Sequence, residues 1–245
     1  MLPAVARSRP ADRFQQLRDA ALGVFGAKGL RRSRMADVAE AMGMSPGSLY
    51  NYVESKQALF LWIIERGGLD APVEAPSALP IRTPSPGVLE ARLREHLEAG
   101  FHLPLFEAAL ARRRVTDAEA ELTALIEEIY ERVAINRRVM TIVERSAIDL
   151  PELFQIYFVK LRRDYFARFT RYVERRQKAG HFRDDVEPVV AARVVAELVA
   201  YFARHRFGDQ DPTLLPDDGV VRENVIQLAV ASLLPVEARA TRRRE

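Results

Sequence analysis

Ser45 lies in Gly43-Met44-Ser45-Pro46-Gly47, the Gly-x-Ser-x-Gly string that presents a nucleophilic serine in hydrolases. That elbow needs a strand before the serine and a backbone N–H after it to hold an oxyanion. Here helical periodicity precedes Ser45 and Pro46 has no N–H, so acyl transfer is not expected. The four histidines, His96, His102, His181 and His205, form no i, i+4 pair and no His-Glu-x-x-His string, so no zinc site is expected. Asp209, Asp211, Asp217 and Asp218 lack the spacing of an EF-hand loop, and no Walker-type phosphate loop occurs. The absence of cysteine removes disulfides, thiolate ligands and cysteine nucleophiles together. No enzyme activity, metal or cofactor is expected.

The stretch from Met35 to Lys56, MADVAEAMGMSPGSLYNYVESK, points to recognition instead. Two short helices cross closely only where the touching residue is small, and Ala39 supplies it. Four residues on, the turn requires a left-handed residue, and Gly43 is there. Val38, Met42, Met44 and Leu49 are spaced to fill the angle between the helices. Ser45 is a suitable N-cap and Pro46 a suitable first helical residue, so the second helix begins abruptly. This is helix-turn-helix spacing, in which the second helix enters the major groove by its N-terminal end. Gly47 and Ser48 are small enough to let the backbone approach base edges, while Tyr50, Tyr52 and Lys56 can reach phosphates. Ala39 and Gly43 alone would equally suit a packing hairpin; the polar helix start, two tyrosines and a lysine favour double-stranded DNA.

Charge is placed accordingly. The net charge is +3, and residues 1–66 hold 10 Lys+Arg against 6 Asp+Glu, leaving the remainder near neutral. A basic head on a neutral body suits an anionic partner. Helical periodicity runs through the whole chain and strand-like alternation is absent, which predicts an all-α fold. A first helix spans about 13–28 and Gly29 stops it. Shorter helices follow at about 35–42, 46–53 and 56–66. Pro72, Pro76, Pro80, Pro84 and Pro86 place a linker at 67–87. Longer helices are predicted at about 88–100, 104–114, 117–147, 150–179, 187–206 and 219–234, with Thr116/Glu119 and Asp149/Glu152 at capping-box spacing. The expected organisation is an N-terminal arm (1–12), a three-helix helix-turn-helix domain (13–66), the linker, a larger helical domain (88–235) and a basic tail (236–245). No apolar run is long enough to span a membrane and no secretory h-region opens the chain, so a cytoplasmic location without membrane contact is expected.

Residues 14–62, about a fifth of the chain, resemble the N-terminal domain of TetR-family transcriptional regulators. The resemblance rests on Phe25…Gly29, Val38-Ala39, Gly43, Ser45, Leu49-Tyr50, Tyr52-Val53 and Ser55-Lys56…Leu59. It implies a homodimer with two reading heads, in which Pro46, Gly47, Ser48, Tyr50 and Asn51 face base edges and Tyr50, Tyr52 and Lys56 hold phosphates. Arg34 stands where the family has a threonine N-cap; it cannot cap that way but can bind a phosphate.

The same resemblance favours dimerisation through two small-residue ridges, Ala192, Val195, Ala196, Val199 and Ala200 on one helix and Val221, Val225, Leu228, Ala229 and Ser232 on the next. A small-molecule effector, lipophilic or aromatic, is expected in the body. The candidate contacts are the polar residues His96, His102, Asn136 and Glu144 and the aromatic residues Phe154, Tyr157 and Phe158. The expected function is a transcriptional repressor released from a palindromic operator by that effector. The alternatives are an effector-free regulator acting through protein partners and a helical scaffold without DNA function. Lys56→Ala is expected to lower the salt slope of DNA binding by about one.

Overall fold

The computed structural model describes residues 10–66, 73–209 and 215–235. Most of the proposed arm (1–12, including Arg7 and Arg9), linker residues 67–72 and the tail 236–245 lie outside the described residues. Among the described residues the secondary structure is helical apart from one isolated β-bridge.

The chain divides into two compact units, each treated separately. The first gathers residues 1–99 and 136–157. It contains α1 (Pro10–Arg32), α2 (Met35–Ala41), α3 (Pro46–Leu49), α4 (Lys56–Arg66) and α5 (Pro86–Gly100), with the second half of α7 (Ala118–Ala147) and α8 (Pro151–Phe154). Its core takes Phe14, Leu17, Ala21 and Phe25 from α1, and Phe25 meets Phe60 edge to face at 5.6 Å. Every residue of α4 from Ala58 to Ile64 is buried, so this helix is enclosed on all sides.

Gly29 breaks α1 as its sequence position predicts, at φ 72° and ψ 167°, although three residues beyond it complete a last turn. A Cβ at Gly29 would stand 3.0 Å from the Arg145 carbonyl oxygen, so glycine is required here for space as well as for conformation. Beside it Leu30 N–H donates to Ser146 Oγ (3.0 Å) and Arg32 pairs with Asp149 (2.9 Å).

The proline-rich stretch does more than connect. Val73 is buried, and Val53 and Ile81 form a parallel bridge: Ile81 N–H donates to Tyr52 C=O (2.8 Å) and Glu54 N–H to Ile81 C=O (3.0 Å). The Glu54 carboxylate takes the Thr83 N–H and the Arg82 guanidinium. Proline removes the helical option here, and extended backbone then finds partners at the end of the helix-turn-helix.

The second unit comprises residues 100–135 and those from 158 onward. It holds α6 (Pro104–Ala111), the first half of α7, α9 (Arg163–Lys178), α10 (Pro188–Ala203) and α11 (Asp218–Leu233). Phe106 is fully buried among Tyr165, Phe169 and Tyr172, at 5.8–6.3 Å between ring centres. These aromatic side chains are core. Burial, with Glu121 adding to it, pushes the Tyr172 phenol far up, so it remains a donor.

Several local expectations are corrected. The helix expected over 150–179 is α8, then wider π-type turns over Gln155–Arg162, then α9. Leu150, not Asp149, precedes α8, because Asp149 is engaged by Arg32. At the start of α7 the cap is Asp117, which accepts from Ala120 N–H at 2.8 Å, rather than Thr116.

The ridges expected to make the dimer contact lie largely inside the chain's own core. Ala192, Val195, Ala196, Val199, Val221, Val225 and Ala229 are buried in the chain's own core, where α10 packs against both α9 and α11. Their small size serves that close packing. Ala200 and Ser232 are half-buried and Leu228 is exposed. The large apolar residues exposed on the two helices are Val189, Val190, Val194 and Tyr201 on α10 and Val220 with Leu228 on α11.

Candidate nucleic-acid interface

The turn between α2 and α3 is built as its sequence requires. Gly43 has φ 64°, and Val38, Ala39 and Leu49 are fully buried; Met42 and Met44 are half-buried. Met44 N–H closes the turn on Ala39 C=O at 2.9 Å. Ser45 is the N-cap of α3: its Oγ accepts from Ser48 N–H (3.2 Å) and lies 2.8 Å from Ser48 Oγ. Pro46 follows as the first helical residue. Regular α-helix ends at Leu49 rather than near residue 53, and turns continue to Val53, which is buried.

Ser45, Pro46, Gly47 and Ser48 are all exposed, with Leu49 as the anchor beneath them. Tyr50 (49% exposed) and Asn51 continue that outer surface. Tyr52 is half-buried, its ring edge to face with Phe14 at 5.8 Å. The small residues thus occupy the open end of the helix and the larger polar side chains flank it, which is the distribution a groove-entering helix needs.

Arg34 is the N-cap residue of α2 in extended conformation, with an exposed side chain. Its own N–H is accepted by Asp37 Oδ2 at 2.9 Å, so Asp37 closes the helix start from inside. Sequence reading missed Asp37, although its place three residues after the cap was the available signal. The Arg34 N–H and the Lys28 ammonium, 3.0 Å away, hold the Asp37 carboxyl below the usual carboxylate range. This bracing is present at neutral pH and is lost as the pH falls through the lowered value.

Lys56 is half-buried, and its Nζ donates to two carbonyls at the end of α1, Arg31 C=O and Ser33 C=O, each at 3.0 Å. Burial pulls its pKa below the ordinary lysine value. Two of its three N–H groups are therefore engaged within the head, and one is left for a phosphate. Lys56→Ala is expected to destabilise the chain by about 1–2 kcal/mol by freeing those carbonyls, read from the urea midpoint. An unchanged midpoint would place Lys56 outside the corner it braces.

A family model described as bacterial regulatory proteins, tetR family, matches residues 17–63, which contain both helices and the turn. Residues 17–63 form a tetR-family regulatory domain. The chain is 26% identical over 197 residues, 80% of each chain, to the HTH-type transcriptional repressor KstR2 of Rhodococcus jostii (strain RHA1). It is 37% identical over 67 residues to the uncharacterized HTH-type transcriptional regulator YfiR of Bacillus subtilis (strain 168), spanning 27% of this chain and 33% of that one. Among solved structures it resembles the ketosteroid transcriptional regulator KstR2 of Mycobacterium tuberculosis, with 15% identity, a TM-score of 0.55 and coverage of 96% and 100%. It also resembles the probable transcriptional regulatory protein RHA5900, with 21% identity, a TM-score of 0.56 and coverage of 90% and 98%. The two structures share the fold of this chain. These relatives regulate transcription, and no described helix is long and apolar enough to cross a membrane.

The residues expected to meet an effector fall in both units. In the first unit Tyr157 is buried and its hydroxyl donates to Glu144 Oε1 at 2.8 Å. His96 and Asn136 are half-buried there, and Phe154 is exposed. Burial lowers the His96 pKa, against an opposing pull from Glu65. In the second unit His102 is exposed and Phe158 half-buried. Among the described residues no cluster of acidic or histidine side chains could hold a metal ion.

Proposed function

We propose that this TetR-family regulator is a homodimeric repressor that reads a palindromic operator through α3 and is released from it by a small-molecule effector. The observation carrying the reading is the outward polar end Ser45–Ser48 above a fully buried Leu49. Pro46, Gly47, Ser48, Tyr50 and Asn51 read bases; Arg34, Tyr50, Tyr52 and the remaining Lys56 donor hold phosphates. The name of the Rhodococcus relative favours repression.

Release is a population shift. The effector favours a conformation whose two heads no longer match half-sites about one helical turn apart, or a multiple of it. Loss of operator affinity then equals the effector's preference for that conformation. A lipophilic or aromatic effector held near Glu144 and Tyr157 would present an apolar body with one polar group to that pair.

The dimer face is the exposed surface of α10 and α11, with Val190, Val194 and Tyr201 at helical spacing beside Val220 and Leu228. Val194 is 56% and Leu228 62% exposed, enough area for a second copy to cover. Val194→Glu is expected to give a monomer in sedimentation at micromolar concentration with an unchanged melting profile. A dimer that persists moves the interface elsewhere.

Selection of bound genomic fragments with the full chain, followed by titration at several salt concentrations, tests the whole reading. Recovery of one palindromic sequence with steeply salt-dependent affinity is expected. Sequence-indifferent recovery, or none, rejects it.

A further inference from the structure

The docked proline-rich segment and α4 border an open-sided cleft of about 280 Å³ on the head unit. Leu61 and Trp62 of α4 form one wall, and Pro80 and Ile81 the other. Trp62 is only 3% exposed, yet its indole Nε1–H has no hydrogen-bond partner among the described residues. Three guanidiniums, Arg66, Arg82 and Arg92, also line the cleft, against a single carboxylate, Glu65. Glu65 is already matched, by Arg92 at 2.6 Å and Arg66 at 3.4 Å, and Arg82 is held by Glu54. About half of the Arg66 and Arg92 side-chain surface remains open, leaving donors for an incoming anion.

We propose that this cleft is a small-molecule site in the reading head, taking a planar apolar molecule that carries a carboxylate. An apolar cavity of about 150 Å³ accommodates benzene, so the cleft has room for a ring with one charged substituent. The apolar walls cover the ring and the carboxylate meets the guanidiniums. The site is separate from the effector contacts proposed near Glu144 and Tyr157 and does not depend on them. Its outer wall bears on reading, because Ile81 exchanges hydrogen bonds with Tyr52 and Glu54, just beyond α3. An occupant that fixes Ile81 also fixes the end of the recognition segment.

Trp62 is the only tryptophan of the chain, so its fluorescence reports on the cleft directly. The full chain is titrated with benzoate, phenylacetate, benzamide and inorganic phosphate. Saturable changes in emission are expected with both carboxylates in the millimolar range, as befits so few heavy atoms. Benzamide is expected to bind about tenfold more weakly and phosphate not at all. Ala78→Leu, at an exposed position on the cleft rim, and Arg92→Gln should each weaken benzoate about tenfold, the first without a change in melting. The proposal is overturned if neither carboxylate saturates, if phosphate competes as well as benzoate does, or if Ala78→Leu binds benzoate unchanged.

Discussion

A chain carrying Gly47→Leu is expected to fold and melt as the parent does while losing at least about a hundredfold in specific duplex affinity, or roughly 2.7 kcal/mol. The two halves of that expectation have separate causes. A Cβ at position 47 would meet nothing closer than Ser45 Oγ at 4.0 Å, and the residue is exposed, so the new side chain has room in the free protein. Leucine also favours helix over glycine by about 1 kcal/mol, so stability does not fall. In the complex the same side chain would project from the end of α3 that approaches the base edges, and the backbone could no longer come near. A single wrong base pair typically costs about 1–3 kcal/mol; displacing the helix disturbs several contacts at once. Salt-dependent association with arbitrary sequence should survive, since Arg34, Tyr50 and Lys56 are unchanged. Gel-shift titration on the selected fragment, beside a thermal melt, decides the matter. Retained specificity would remove α3 from the reading surface.

Arg176→Met should give the largest loss of stability in the second unit, about 3–5 kcal/mol. Arg176 is 1% exposed, and its Nε and one terminal nitrogen donate to Glu121 Oε1 at 2.9 and 2.7 Å. That terminal nitrogen also reaches Ala109 C=O at 3.1 Å, and the guanidinium lies 5.1 Å from the Tyr172 ring centre. Methionine would fill much of the space but would leave the Glu121 carboxylate with only Arg112 (3.0 Å) and Tyr172 (3.2 Å) as donors. The Ala109 carbonyl would lose this partner. Such a loss is a large share of the roughly 5–15 kcal/mol that holds a domain together. Replacing both partners, Arg176→Met with Glu121→Leu, should restore most of it, because an apolar pair leaves no buried charge unmatched. Urea unfolding of the single and double variants measures both. A single variant with the parent's midpoint would show that the pair contributes nothing.

What could be read from the sequence was local in origin. Gly43, Ala39, Leu49 and Ser45 each answer a constraint set within a few residues, and each occupies its expected place. What the sequence left open depended on partners distant along the chain. Asp149 has the spacing of a cap but faces Arg32, and Lys56 has the charge for a phosphate while two of its donors face carbonyls 25 and 23 residues earlier. The alanine ridge of α10 shows which face is apolar and close-packed; periodicity does not say whether the covering helix is α11 or another copy. Proline density excludes a helix over the described residues 73–85, although α5 already starts at Pro86, and exclusion of helix is not absence of packing, as Ile81 demonstrates.

The discontinuous composition of the first unit limits how this protein can be recombined. A reading module cut at residue 66 would carry α3 intact but leave behind Ser146 and Asp149, which hold the end of α1, and Ile81, which supports the stretch after α3. A transplant onto a foreign sensor would therefore need residues 136–157 as well as 1–99, two separate grafts instead of one. Evolutionary exchange of reading specificity in such a chain is correspondingly easier by point substitution on the outer surface of α3 than by shuffling of whole modules.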